Sequence, residues 1–438
     1  MTVKKLLFNN SRPLKYFIFS LSCVVFAVIL TSCEQNPTAP NEPPKPPGYQ
    51  EDIYWPSLAD SPWPMNHHDP QSTGRSEYFG PSIGAIDWIV DSLNMRSSIS
   101  IGIDSSIYLP SQSSAHDCFF SFRPNGELNW KLNNFDDIIF SDEVSTPLVA
   151  VDGTIYFTGG HSGKVYAINP NGTLKWEFQA NFFIYQTGIN LGLDGTLYFI
   201  TANGELFALD ANGHLKWTFK NDDFFAHLGS VLSFSPDGKT LYIPGKSISL
   251  YSFNIQSQSI NWSFGTKTLY AAPIVDDEGN IYVQSASMDF NNGENSLFCL
   301  KPDGSVKWSF AHNNPQMDQS YGYAEGTIDR LGNIYFAFDT LYSLNYFGQL
   351  NWKIPLNGFT ASPLICDANG TVYISVTYYD SYVLSEILAV DSFGNFLWKL
   401  PIPLNFPVAD IVGLSPALNN MRRLFVPTYK SYRFFVIK

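Results

Sequence analysis

Four acidic clusters and one histidine pair are the first places in this chain to look for chemistry. Asp136-Asp137, Asp142-Glu143, Asp222-Asp223 and Asp276-Asp277-Glu278 bring carboxylates together, as a hard cation such as calcium requires. None has oxygen ligands at alternate positions with glycine at the sixth, the spacing of an EF-hand loop. They read as solvated loop charges. His67-His68-Asp69 suggests a transition metal. In an extended segment, however, adjacent side chains point opposite ways, so the two imidazoles are not expected to share an ion. No G-x-S-x-G elbow, P-loop or H-E-x-x-H pattern occurs, so the usual nucleophile, phosphate and zinc signatures are missing. The expectation is a protein with no catalytic residues, no metal and no cofactor.

Cysteine carries the one specific signal. Of five cysteines, Cys23 and Cys33 lie near the N-terminus and Cys118, Cys299 and Cys366 lie far apart with no Cys-x-x-Cys spacing. The last three are expected to be small buried side chains. Cys33 differs. Lys4, Lys5, Arg12 and Lys15 form a basic region, and Phe17 to Leu30 is an apolar run of 14 residues. That run is short of the roughly 20 residues a spanning helix needs. Leu30-Thr31-Ser32-Cys33 then places small residues before a cysteine, which resembles the bacterial lipobox. The resemblance implies a signal peptide over 1–32, removed before Cys33, and acylation of the Cys33 sulfur with a palmitate-type chain.

Residues 33–49 follow as a tether. Glu34 to Tyr49 contains six prolines and almost no apolar side chain, so it can bury no core and favours extended polyproline geometry. The signal takes away four basic and no acidic residues, which moves the net charge from −13 to −17. Such an acidic body is a poor ligand for nucleic acid phosphates, so no nucleic acid partner is expected.

The elements that must position any site repeat along the rest of the chain. Trp88, Trp130, Trp176, Trp217, Trp262, Trp308, Trp352 and Trp398 recur 41 to 46 residues apart, a period that indicates a repeat architecture. Each ends a G-x-[apolar]-x-W pattern, with Gln258 replacing glycine once. A second marker is a turn before an apolar-aromatic pair, as in Asp152-Gly153-Thr154-Ile155-Tyr156 and Asp194-Gly195-Thr196-Leu197-Tyr198. Asp-Gly between apolar runs favours a tight hairpin, because glycine tolerates positive φ. A third marker is an alternating strand such as Val165-Tyr166-Ala167-Ile168. With the apolar run before the first turn, each unit holds four antiparallel strands, which describes a propeller blade.

The ends set the count. Phe434 to Lys438 matches a third strand and then stops, while Gly84-Ala85-Ile86-Asp87-Trp88 supplies the missing fourth strand from the other end. The fold expected is an all-β, eight-bladed propeller over 83–438, closed by the N-terminal strand, with 50–82 as a lead-in. Closure removes sheet edges that would otherwise template aggregation.

At these residues the sequence resembles the quinoprotein (PQQ-type) repeat family, whose blades carry an A-x-D-x-x-x-G-x-x-x-W docking motif. Ala208-Leu209-Asp210 leading to Gly213 and Trp217, and Ala389-Val390-Asp391 leading to Gly394 and Trp398, match it. The resemblance implies that all eight series tryptophans pack between neighbouring blades as structural docking residues. Fold and anchor together are also similar to the propeller lipoprotein of the outer-membrane β-barrel assembly machinery. Quinone-dependent dehydrogenases of this family use a bound quinone, calcium and often an adjacent-cysteine disulfide. This chain has no adjacent cysteine pair.

Loop length points to a binding face. The turns joining strands one and two, and three and four, are short and lie on one face. The other connections are long and aromatic, with Phe182, Phe183, Tyr185, Phe224, Phe225, Phe290, Tyr321, Tyr323, Tyr378, Tyr379 and Tyr382. Loops on a rigid scaffold host recognition, and aromatic residues are favoured contacts. Several of these residues also begin innermost strands, where they would pack inside. The reading that follows is a non-enzymatic binding or scaffold lipoprotein, lipid-anchored at the cell envelope, with the outer membrane as the expected site. Its expected partner is an envelope protein or a glycan. A glycan-binding accessory protein and a quinone-dependent oxidoreductase are the alternatives, because this fold hosts several functions.

Overall fold

A computed structural model describes residues 44–438 apart from 92, 96, 113–116, 134–144, 185–187, 226–231, 247–248, 266–271, 286–294, 313–324, 361, 379–383, 404–413 and 429–432. The described strands form eight antiparallel sheets, and the one helical element among the described residues is a single 3-10 turn at Gly160–Ser162. We number the sheets as blades 1 to 8 from the first complete one. Blade 2 is typical, with strands Leu148–Val149, Ile155–Thr158, Lys164–Ile168 and Leu174–Gln179 in spatial order. Its first two strands are buried throughout, while its fourth alternates exposed and half-buried residues. The first strand is therefore innermost and the fourth forms the rim.

The local chemistry follows the repeat. In blade 2 the turn glycine Gly153 sits at φ 81° and Asp152 accepts from the Thr154 N–H at 2.9 Å. Positive φ costs glycine little, which is why these turns use it. Each of seven docking tryptophans lies over a turn glycine of the following blade, as Trp130 does over Gly172 and Trp398 over Gly84. A side chain there would collide, since a Cβ on Gly172 would stand 2.8 Å from the Trp130 ring. The indole N–H also donates to a backbone carbonyl of the next turn, from Trp130 to Pro170 at 2.8 Å and from Trp398 to Pro81 at 3.0 Å. Trp398 is buried and the other seven are half-buried. Truncating one of those seven should therefore cost less than the roughly 3–5 kcal/mol of a fully buried ring. Gln258 replaces the glycine at the next turn after Trp217 and adopts φ 52°.

The ring closes as the sequence implies. Ile86–Asp91 pairs with Arg433–Ile437, placing Trp88 opposite Val436, and the sheet continues through Leu424–Pro427 and Ala417–Leu418. Ion pairs of one polarity clasp this junction. Asp87 on the N-terminal strand binds Arg423 at 2.7 Å and Lys438 at 3.1 Å, and Asp91 binds Arg433 at 2.8 Å. The Arg423 hydrogen bond helps hold the Asp87 carboxyl below its ordinary range.

The compact body begins at Pro47. Gly48 and Gln50 are buried, and the Gln50 N–H donates to the Arg330 carbonyl at 2.8 Å. Gly48, near the end of the expected tether, is thus docked on the propeller against Tyr346.

Candidate functional site

The lead-in is the centre of the molecule. Between Trp63 and Gly74 its carbonyls accept from the inner strands of successive blades. Trp63 accepts from Ile101 at 2.7 Å, Pro64 from Val149 at 2.8 Å, and Pro70 from Phe234 at 2.8 Å. Gln71 accepts from Val275 at 2.9 Å, Thr73 from Ile328 at 3.2 Å, and Gly74 from Cys366 at 2.9 Å. The Asn190 amide reaches the Pro70 carbonyl at 3.1 Å and adds blade 3. Twelve residues thereby join seven of the eight blades. The inner strands are two residues long and offer N–H groups toward the axis, and buried donors of this kind need partners. The lead-in supplies them at the short-turn end and fills the channel there with Trp63 and Met65, both buried.

This segment is coiled, not extended. His67, His68, Ser72 and Gly74 all have positive φ, so the alternation argument for the two histidines does not apply, and they part for another reason. His68 is half-buried and pairs with Asp69 at 3.2 Å. His67 is fully buried, with Nδ1 2.8 Å from the Ser72 carbonyl and Nε2 2.9 Å from the Leu364 carbonyl. Two carbonyls only accept, so both contacts are satisfied together only by a ring that carries both protons. The Glu325 carboxylate lies 3.7 Å from Nδ1 and is also buried. Burial pushes the Glu325 carboxyl up, against the pull of His67 and the Ala272 amide. Gly74 is obligatory beside this pair, since a Cβ would stand 2.5 Å from His67 Nε2.

The acidic clusters divide. Asp222 is exposed and Asp223 accepts from the Tyr251 hydroxyl at 2.7 Å. Asp276 is buried, which corrects its reading as a solvated charge. It accepts from the Asn280 N–H at 2.7 Å, the Asn280 amide at 2.7 Å and the Tyr282 hydroxyl at 2.9 Å. Asp329 and Asp367 repeat this arrangement with Tyr335 and Tyr373. Asp136, Asp137, Asp142 and Glu143 lie outside the described residues. No three metal-ligating side chains gather among the described residues.

Burial raises the Asp276 carboxyl to about 6, despite its three donors. Its folded value lies above its unfolded value, so its protonated form favours the fold. That contribution is fully present below about pH 4 and is lost as pH rises through about 6, an effect of about 3 kcal/mol. Urea midpoints of wild type and Asp276→Asn at pH 4.5 and pH 7 check this. The wild type should lose stability relative to the variant over that interval, and parallel profiles would exclude the assignment.

Of the expected binding aromatics, Phe182 is exposed and stacks on half-buried Phe183 with ring centres 4.3 Å apart. Phe225 is half-buried, and so is Tyr378, whose hydroxyl donates to Glu386. Phe224 is fully buried among Phe219, Tyr251 and Phe253, so it belongs to the core and not to a binding surface. Phe224 forms an isolated antiparallel bridge with Gly245, just past the strand Thr240–Pro244. Tyr185, Phe290, Tyr321, Tyr323, Tyr379 and Tyr382 lie outside the described residues, as does Cys33. Cys299 and Cys366 are buried free thiols, and burial pushes the Cys299 thiol up to about 12.

A pocket of about 110 Å³ opens beside the lead-in, lined by Asp52, Ile53, His68, Asp69, Gln71, Thr73, Arg75 and Glu77. It is smaller than the roughly 300–1,000 Å³ of sites that enclose a drug-sized ligand. A tricyclic quinone with its calcium does not fit these residues. Buried Gln71 and Thr73 of the lead-in wall the pocket, and no three metal-ligating side chains gather among the described residues.

Comparison with known proteins gives the architecture a context. A family model described as outer membrane protein assembly factor BamB matches residues 121–268. No curated protein sequence matches. Among solved structures, BamB from Moraxella catarrhalis is similar at TM-score 0.57 and 15% identity, over 81% of this chain and 98% of that one. Quinohemoprotein alcohol dehydrogenase from Comamonas testosteroni is similar at 0.59 and 11%, over 88% and 81%. The C-terminal WD40 domain of Sif2 is similar at 0.59 and 12%, over 82% and 98%. Likeness at these identities concerns the fold, which is shared by proteins of different function.

Proposed function

From a chain of PQQ-type propeller repeats in a BamB-like fold, we propose a cell-envelope lipoprotein that acts as a non-enzymatic binding or scaffold propeller. The observation that carries this reading is the lead-in. The chain uses its own backbone to tie seven blades together and fills the short-turn end of the channel with protein. That construction suits a rigid platform whose loops do the recognising. The long-loop face, with the exposed Phe182 beside Phe183, is the proposed contact surface for an envelope protein. The match to a BamB family model supports this class of partner. The anchor is the acylated Cys33, the tether holds the body off the bilayer, and the outer membrane is the proposed location.

Cys33→Ser is expected to move the protein from the membrane to the soluble fraction, and a palmitate analogue should label only the wild type. Equal labelling would remove the anchor. Photo-crosslinking from position 182 in intact envelopes should capture a protein. Turnover of an alcohol after reconstitution with quinone and calcium would instead favour the oxidoreductase reading.

A further inference from the structure

We propose that the short-turn face rests on the bilayer surface, with its apolar turn tips in the headgroup–acyl boundary. The inference builds on the lipoprotein reading and adds an orientation. Turn tips are usually polar, yet here Phe393 is 80% exposed, Ile83 63%, Phe347 57%, Ile103 55%, Val151 55% and Leu331 54%. They come from blades 1, 2, 6, 7 and 8 and share one face of the disc. A set of exposed apolar side chains on one face marks an interaction surface.

The entry point of the chain says what covers it. Gly48 packs against Tyr346 and the Gly332 turn, beside Leu331 and Phe347, so the chain leaves the body on this same face. Cys33 and Pro47 are fourteen positions apart, with thirteen residues between them. A proline-rich segment spans about 3.1 Å per residue at full extension, or about 45 Å. An acyl anchor on Cys33 therefore keeps the short-turn face within that distance of the membrane and makes it the face that meets lipid most readily. The long-loop face is left free for a protein. Charge narrows the lipid. On this face Asp152 and Asp194 are paired with Lys175 and Lys216 at 3.0 Å, while Asp104 and Asp391 add to a chain of net charge −13, so anionic headgroups repel the body and zwitterionic ones do not.

The test uses the mature chain with a histidine tag in place of Cys33, held on phosphatidylcholine vesicles containing a nickel-chelating lipid. An environment-sensitive dye is placed through Phe393→Cys or, on the opposite face, Phe182→Cys, with Cys118→Ser in both. Dye at 393 should shift to the blue and be quenched by brominated acyl chains, while dye at 182 should do neither. Adding phosphatidylglycerol should reduce the response at 393. No response at 393, or equal responses at both positions, overturns the proposal. So does a response at 393 that requires an envelope extract, which would assign the face to a protein. Because the tag replaces the lipid, failure here leaves the acylation of Cys33 untouched, and the Cys33→Ser fractionation tests that separately.

Discussion

A chain beginning at Arg96 will not show a cooperative thermal transition, whereas one beginning at Pro47 will melt like the full mature protein. The shorter chain loses the strand Ile86–Asp91 and its five-residue register with Arg433–Ile437. It loses the Asp87 and Asp91 ion pairs and the contact of Trp88 with Gly126. It also loses the carbonyls of residues 63–74 that satisfy inner-strand N–H groups in blades 1, 2 and 4 to 7. Each buried donor left without an acceptor costs about 1–3 kcal/mol. Six such losses are comparable with a whole folding stability of about 5–15 kcal/mol, before the removal of Trp63 and Met65 from the core is counted. A cut after Tyr49 should lie between the two, because Gly48 is docked on Tyr346. Scanning calorimetry of the three forms decides it. If the Arg96 form melts at the temperature of the Pro47 form, neither the shared blade nor the lead-in holds the ring.

His67→Leu should lower stability by about 3–5 kcal/mol, as removal of one partner of a buried ion pair does. The variant leaves the Ser72 and Leu364 carbonyls without their ring donors and Glu325 without its counter-charge. Burial already raises the Glu325 carboxyl, and without His67 it should rise further. A raised carboxyl favours the fold below its unfolded range and loses that contribution as pH climbs through its folded value. The loss should therefore be smaller near pH 4 than at pH 7. Combining His67→Leu with Glu325→Leu should restore much of the stability, since an apolar pair of similar volume replaces the charges. Denaturant midpoints of the single and double variants at both pH values measure this. An additive double variant would mean that the two groups do not interact.

The repeat was legible because its signals are local. A glycine at positive φ, an Asp-Gly turn and an alternating strand each act within a few residues, and together they define the Trp176 blade as well as the Trp398 blade. Even ring closure could be read, since a third strand at Phe434 without a fourth leaves one place for Gly84 to Trp88. The site was less legible. Phe224 and Phe182 both lie in long aromatic loops, yet one is in the core and the other in solvent. Their difference depends on Gly245 and Phe253, which no local pattern connects to them.

By itself the sequence determined the blade, the count of eight and the closing strand, because hairpin turns and strand alternation are decided by neighbours along the chain. Only the tertiary structure decided what lies on the axis. The lead-in has no period, and its partners are as distant as Leu364 from His67, 297 residues away. Its conformation is imposed by the inner-strand donors of seven blades, which exist as a ring only after folding. The same holds for charge. Asp222 and Asp276 sit in similar acidic runs, but the first faces water and the second is enclosed by Asn280 and Tyr282. Burial is a property of the assembled ring and not of the residues on either side.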